Sequence, residues 1–285
     1  MQISQSPLKV PLAASPFLKW AGGKTQILSE LASHVPRFQR YFEPFVGGGA
    51  FFFYLASHVP DFEARLSDIN ADLMNAYRAV KNNVDSLAVR LRHHEIAYSR
   101  APVSFYYTLR RATPSDKLDR AARFIALNKT CYNGLYRVNR AGEFNVPIGR
   151  YKNPAICNES QLRGASAVLK KTKAIIRSAT YQSALSDAGR GDFIYLDPPF
   201  VPLSKTANFV DYTRAGFSIE DQVELSEVFA KLDRKGCKVL LSNSDTPLTR
   251  KLYSSYKQFA VSASRAINCK GDGRTGCTEL IVRNY

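Results

Sequence analysis

No Cys-x-x-Cys pair occurs in this chain. Its five cysteines, Cys131, Cys157, Cys237, Cys269 and Cys277, are scattered and odd in number. That favours reduced thiols, as in a cytoplasmic protein, over a disulfide framework or a zinc site. Histidine is equally scarce. His93 and His94 are adjacent while His34 and His58 stand alone, so the spacing a metal site needs is missing and none is expected. The longest aromatic-rich apolar run, Ala50 to Ala56, is far too short to cross a bilayer, so no membrane association is expected. Met1 to Pro16 shows no basic segment followed by an apolar core, so no secretory signal is read there.

Acidic residues are also in short supply. Against 24 Asp and Glu stand 40 Lys and Arg, a net charge of +16. The imbalance is concentrated. From Lys81 to Ser160 there are 14 Lys and Arg but 6 Asp and Glu, so +8, half the excess, lies in 80 of 285 residues. Those cations are interleaved with Tyr, Asn and Gly, the mixture that contacts phosphates and bases. A polyanionic partner is expected. The 45% hydrophobic content leaves enough apolar material for one large core.

Periodicity divides the chain. Tyr41 to Phe45, Ala64 to Ser67, Phe193 to Leu196 and Lys238 to Ser242 read as short buried strands. Thr25 to His34, Ala50 to His58, Ala71 to Val80 and Ser218 to Lys235 read as helices, the last with Ser218 as N-cap and Gly236 after its end. Strands alternating with helices predict a mostly parallel α/β sheet. The middle differs: Ser86 to His94, Ser104 to Arg111 and Lys117 to Asn128 are helical, followed by the Gly- and Asn-rich Tyr132 to Lys152. The expected organisation is a discontinuous α/β domain, residues 1–80 and 161–285, interrupted by a mainly helical basic insertion, 81–160.

Three segments carry chemistry. Asp197-Pro198-Pro199-Phe200 follows the apolar run Phe193 to Leu196. Proline cannot donate to a sheet ladder, so the strand stops there in a stiff extended turn. The Asp197 carboxylate, the carbonyls beside the prolines and the Phe200 ring could together grip a planar group bearing an amino function. The second segment, Phe42-Glu43-Pro44-Phe45-Val46-Gly47-Gly48-Gly49-Ala50, is a strand, a glycine turn and a helix. Glycines there permit a sharp turn and close approach of a ligand. Asp68, about 20 residues on, is placed to bind ribose hydroxyls. A dinucleotide is one candidate ligand, but Phe52 stands where the G-x-G-x-x-G pattern needs its last glycine. Glu43 favours a ligand with a cationic part, and S-adenosylmethionine carries an ammonium, a sulfonium, an adenosine and no phosphate. The third segment, Phe17 to Thr25, is not a P-loop: Leu18 occupies the position of its first glycine. Lys24 is read there as pairing with a carboxylate, such as the amino-acid end of a cofactor, and Trp20 as closing a pocket.

In combination and in order, these segments resemble the Dam-type DNA adenine-N6 methyltransferases (the alpha group), a family that includes modification enzymes of GATC-specific restriction systems. The resemblance runs from about Pro16 to the C-terminus. It covers Phe17 to Lys24, Tyr41 to Ala50, Ser67 to Asn70, Tyr132 to Pro154 and Leu196 to Phe209. Its most specific part is Tyr132-Asn133-Gly134-Leu135-Tyr136-Arg137, followed by Gly142 to Lys152.

The resemblance implies a Rossmann-like fold dependent on S-adenosyl-L-methionine, with the basic insertion as target-recognition domain. It implies cofactor-binding roles for Trp20, Lys24, Glu43, Phe45, Gly47, Gly49, Asp68 and Asp197. Lys19, Tyr132, Asn133, Leu135, Arg137 and Arg150 correspond to positions that contact or intercalate at double-stranded DNA. Arg137 is the candidate for a bidentate contact to guanine, and GATC is the expected target. The adenine must leave the duplex to be reached. Phe200 would stack on it while Asp197 and the Pro198 carbonyl accept its N6 hydrogens, with Pro199 completing the catalytic segment. Ser204 to Phe209 would close over the flipped base. The family usually has Tyr where this chain has Phe200; Phe keeps the stacking face, so activity is expected to survive. No Pro-Cys pair is present, which argues against cytosine-C5 chemistry. Alternatives are cytosine N4 or an RNA base as acceptor, or a non-catalytic DNA-binding relative. A monomer in solution is expected, and a restriction endonuclease is a possible companion.

Overall fold

The computed structural model describes residues 14–199, 217–263 and 277–285, side chains of Ala263 and Cys277 excepted. In chain order its elements are α1 (Leu28–Ser33), β1 (Arg40–Glu43), α2 (Ala50–His58), β2 (Glu63–Asp68), α3 (Ala71–Asn82), α4 (Val84–Arg100), α5 (Pro102–Arg111), α6 (Lys117–Thr130), α7 (Glu159–Lys171), β3 (Ile175–Ser178), α8 (Tyr181–Ala184), β4 (Phe193–Leu196), α9 (Ile219–Arg234), β5 (Lys238–Ser244), α10 (Pro247–Leu252), β6 (Lys257–Ala263) and β7 (Cys277–Arg283). Among the described residues the strands form one seven-stranded sheet in the order β3-β2-β1-β4-β5-β7-β6. The first five run parallel, and β7 lies antiparallel between β5 and β6. This is the expected mostly parallel α/β sheet.

Alternation along the strands explains why both faces are covered. In β4, Phe193 and Tyr195 enter one apolar cluster and Ile194 and Leu196 the other. A four-residue strand with every side chain buried can only be an inner strand of a sheet with helices on both sides. The first cluster runs without a break from Tyr41, Phe51 and Leu66 into Leu87 and Leu91 of α4, Tyr106 of α5 and Ile125 of α6. The basic middle segment is thus packed directly onto the sheet's helical layer.

Local signals hold at several element ends. Ser218 caps α9 in a reciprocal box with Asp221, and Asn70 caps α3 by accepting from Asp72 and Leu73. The expected helix from Thr25 begins as a 3-10 turn, Lys24–Ile27, before α1.

Four elements bearing on the sheet went unread in the sequence. β3 is an edge strand with three of four side chains exposed, so it shows no apolar run. α7 carries Leu162, Ala165 and Leu169 on one face behind an Asn158 cap, a signal that was available. β6 and β7 form an antiparallel pair after the alternation of strand and helix has ended, where the α/β pattern gives no guidance.

Candidate active site

The strand order reverses at β1 and β4, whose next connections run to opposite sides of the sheet. Ligands in open α/β sheets bind outside the carboxyl ends of strands at such a point. Here the carboxyl end of β1 runs into the glycine turn, that of β2 into Asp68, and that of β4 into Asp197-Pro198-Pro199. A cavity of about 1380 Å³ opens above them. Trp20, Lys24, Glu43, Phe45, Gly47 and Gly49 all line it, as do Asp68, Asp197, Pro198 and Pro199. Phe200 and Ser204 to Phe209 lie outside the described residues.

The cavity floor is acidic around one buried lysine. Lys24 Nζ lies 2.8 Å from Asp197 Oδ1 and 3.8 Å from Glu279 of β7. The carboxylate that the sequence reading sought for Lys24 is therefore supplied by the chain itself. Ser242 Oγ on β5 donates to the same Asp197 Oδ1 at 3.0 Å. Burial pushes the Asp197 carboxyl above its ordinary range, while Lys24 and Ser242 pull it back toward ionisation. Glu43 is fully enclosed and accepts from Tyr41 Oη at 2.9 Å; burial holds its carboxyl well above the usual range. Asp68 accepts the backbone N–H groups of Gly47 (3.2 Å) and Asn70 (2.9 Å), yet desolvation still pushes it up to about 6. Beside it Ile69 is 58% exposed, an apolar face left bare on the cavity rim.

The glycine turn is present, and it makes the sharp turn that was expected. A Cβ on Gly47 would meet the Trp20 ring at 2.6 Å, and one on Gly49 would meet Tyr77 Oη at 2.6 Å. Both residues have positive φ, 47° and 70°. These glycines make room for the protein's own aromatic rings, and both also line the cavity. Trp20 in turn lies parallel to Tyr136, with ring centres 6.2 Å apart.

The residues read as facing DNA lie on one loop system. Tyr132, Asn133, Arg137 and Arg150 are exposed, whereas Leu135 is half-buried against the core. Lys19 is exposed, with its ammonium 3.9 Å from the Tyr151 ring centre. Asn133 is left-handed at φ 53° and Gly134 follows at 66°. A short hairpin comes next, joined by the Val138–Phe144 bridge and by Asn139 Oδ1 accepting from Ala141 and Glu143. Arg137 Nε donates to Asn145 Oδ1 at 2.7 Å across it. Buried Asn128 ties this loop to the first motif. It accepts from Lys19 N–H at 2.9 Å and donates to the carbonyls of Lys19 (2.7 Å) and Gly134 (3.1 Å).

Asn128, Tyr136, Ser242 and Glu279 were not singled out from sequence. Tyr136 had a signal, since it sits inside the most specific motif. Asn128 is a polar residue on the buried face of α6, which is itself a cue. Ser242 and Glu279 sit within strands and are recognised only through their spatial neighbours.

A model of the D12 class N6 adenine-specific DNA methyltransferases matches residues 20–267, a span holding nearly all of this constellation. The chain belongs to that family. Among individual relatives, it is 44% identical over 291 residues to the type II methyltransferase M.MjaIII of Methanocaldococcus jannaschii, covering 96% of this chain and 100% of that protein. It is 41% identical over 277 residues to the type II methyltransferase M1.LlaDCHI of Lactococcus lactis subsp. cremoris, covering 95% of each. The DNA adenine methylase of Escherichia coli K12 is 36% identical over 268 residues, covering 93% and 94%. As a D12-class enzyme the chain methylates N6 of adenine in DNA. No helix among its described residues is long and apolar enough to cross a membrane.

Proposed function

We propose that this D12-class enzyme uses S-adenosyl-L-methionine to methylate the adenine of GATC after that base has left the duplex. The carrying observation is the division of labour on Asp197. Oδ1 receives both Lys24 and Ser242, while the Asp197 side chain lines the cavity beside Pro198 and Pro199, leaving Oδ2 for a substrate. The donor set suits this methyl donor: Asp68 for ribose hydroxyls, bare Ile69 for an adenine face, and the buried Glu43 for a cationic neighbour. When bound, S-adenosyl-L-methionine supplies an electrophilic methyl carbon on a sulfonium.

The chain's own residues would act by positioning. Asp197 Oδ2 and the Pro198 carbonyl accept the two N6 hydrogens of the flipped adenine. That draws the nitrogen lone pair out of ring conjugation and aims it into the cavity, and orientation of this kind supplies most of the rate gain. The rigid Pro198-Pro199 turn keeps both acceptors fixed. The nitrogen that gains the methyl group sheds one proton, for which Asp197 is the adjacent acceptor. Phe200 stacks on the base, and Ser204 to Phe209 close over it.

Residues 81–160 act as the target-recognition domain, with Tyr132, Asn133, Leu135, Arg137, Arg150 and Lys19 at the DNA. The exposed Arg137 fork supports guanine reading. The higher identity to relatives named type II methyltransferases supports partnership with a restriction endonuclease, and the thiol pattern supports a place in the cytoplasm; the enzyme is proposed to be a monomer. Expression in cells lacking adenine methylation, followed by mapping of modified bases, tests the reading. N6-methyladenine confined to GATC is expected; methylated cytosine, or adenine modified in another context, would overturn it.

A further inference from the structure

Tyr195 and Ser242 are both fully buried, yet both carry polar groups that meet beside Asp197. Tyr195 is the third residue of β4, and Asp197 follows the strand's last residue, Leu196. Ser242 follows Leu241, which pairs with Leu196, and so stands level with Asp197 on the neighbouring strand. The contacts are Tyr195 Oη to Ser242 Oγ at 2.8 Å and Ser242 Oγ to Asp197 Oδ1 at 3.0 Å.

Proton counting gives this chain a direction. An ionised carboxylate only accepts, so Ser242 spends its single hydrogen on Asp197. Tyr195 must then donate to Ser242. Both hydrogens therefore run toward Oδ1, the oxygen that Lys24 also holds. A carboxylate with one oxygen pinned by two donors cannot turn about its Cβ–Cγ bond without breaking both. Asp197 lines the cavity, and holding Oδ1 in this way fixes the orientation of its other oxygen.

We infer that Ser242, backed by Tyr195, is a positioning residue that locks the Asp197 carboxylate so that Oδ2 alone meets the adenine amino group. The inference rests on the proposed role of Asp197 and deepens it. Ser242 touches no ligand and works only through Asp197. Its second effect is on protonation, since a donor to the ionised carboxylate favours that form. Other charged or titratable groups bear on Asp197 from several sides: Lys24 ahead of α1, Tyr41 and Glu43 on β1, Tyr195 on β4 and Glu279 on β7. All are kept in the variants below except Tyr195 where stated.

The test measures methyl transfer to a GATC duplex across pH for wild type, Ser242→Ala, Tyr195→Phe and the double variant. Cofactor affinity is read from the fluorescence of Trp20, the only tryptophan. Ser242→Ala should lower kcat by roughly tenfold or more while cofactor affinity stays within about twofold, because only the Asp197 geometry changes. The acid limb of its pH profile should move to higher pH by roughly half a unit or more. Tyr195→Phe should do less, and the double variant no more than Ser242→Ala alone, because Tyr195 acts through Ser242. Unchanged kcat and pH profile in Ser242→Ala would overturn the inference, as would losses that multiply in the double variant. If Ser242→Ala fails to fold, Tyr195→Phe decides: a rate and profile identical to wild type would count against the lock. A wild-type enzyme that leaves adenine unmodified would instead defeat the underlying assignment of Asp197.

Discussion

The ring of Tyr136 lies nearly parallel to that of Trp20, at 22° and 6.2 Å between centres. Tyr136 is flanked in sequence by Leu135 and Arg137, both proposed to face DNA, while its own ring lines the cavity proposed for the methyl donor. The loop proposed to face DNA therefore also contributes a side chain to the cavity. Removing the ring should loosen Trp20 over the glycine turn. An aromatic pair of this kind contributes about 0.5–1.5 kcal/mol beyond its buried area. Tyr136→Ala is accordingly expected to weaken S-adenosyl-L-methionine binding by roughly 3–10-fold, and Tyr136→Phe by less. Titration followed through Trp20 fluorescence measures both.

Asp68 gives two pH effects of opposite sign. Its carboxyl lies at about 6 in the folded protein against 3.8 for an ordinary aspartate. Between those values the folded state binds more protons than the unfolded chain, so Asp68's contribution to stability falls as pH rises through that window. Ribose binding needs the ionised form, so cofactor affinity should fall as pH drops below about 6, approaching roughly tenfold per unit. Asp68→Asn should flatten both slopes. Thermal melts of the free enzyme and cofactor titrations between pH 5 and pH 8 (about the range in which proteins are most stable) separate the two. Affinity that is flat across this range would count against a ribose role for Asp68.

Gly49 and Gly142 differ in a way that stability measurements resolve. Both have positive φ, 70° and 83°, but only Gly49 has a side chain waiting in its Cβ position. Gly142→Ala should cost about 1–2 kcal/mol, the strain of a left-handed residue. Gly49→Ala should cost that plus about 1–3 kcal/mol for displacing Tyr77. Denaturant unfolding of the two variants gives the comparison.

Arg137 and Arg150 should fail differently on DNA. Arg137→Ala is expected to relax discrimination at one guanine by about 1–3 kcal/mol, the value of a bidentate contact. Arg150→Ala should weaken binding to all duplexes alike and lower the salt slope by about 1, the behaviour of a phosphate contact. Binding to a cognate and a single-mismatch duplex at two salt concentrations distinguishes them. If both variants lose affinity uniformly, Arg137 does not read the base.

What could be read from residues alone was the part written in local order. Asp197-Pro198-Pro199 ends a strand because proline cannot pair, and the glycine turn is recognisable because few residues accept its φ. Both lie at the cavity, where their order in the chain implied they should be. Ser242 and Glu279 were illegible for a physical reason. A serine or glutamate within a strand announces neither its neighbour nor the face it serves, and β7 reaches its place between β5 and β6 through pairing that no local pattern encodes. The glycine turn was legible, but the rings of Trp20 and Tyr77 packed against it were not, since no local pattern names a glycine's spatial neighbours. The aromatic fourth position of the catalytic segment, Phe200, lies outside the described residues.

The antiparallel insertion of β7 also sets a condition on how the enzyme comes into being. Lys24 is translated early and Glu279 late, and the strand that carries Glu279 must pair with β5 before they meet. A nascent chain can complete β1, β2 and β4, with their glycine turn and both cavity aspartates, and still lack the full charge cluster around its lysine. Completion of the centre thus depends on the strand nearest the C-terminus, so a chain that stops short of β7 carries the recognisable motifs without the finished site.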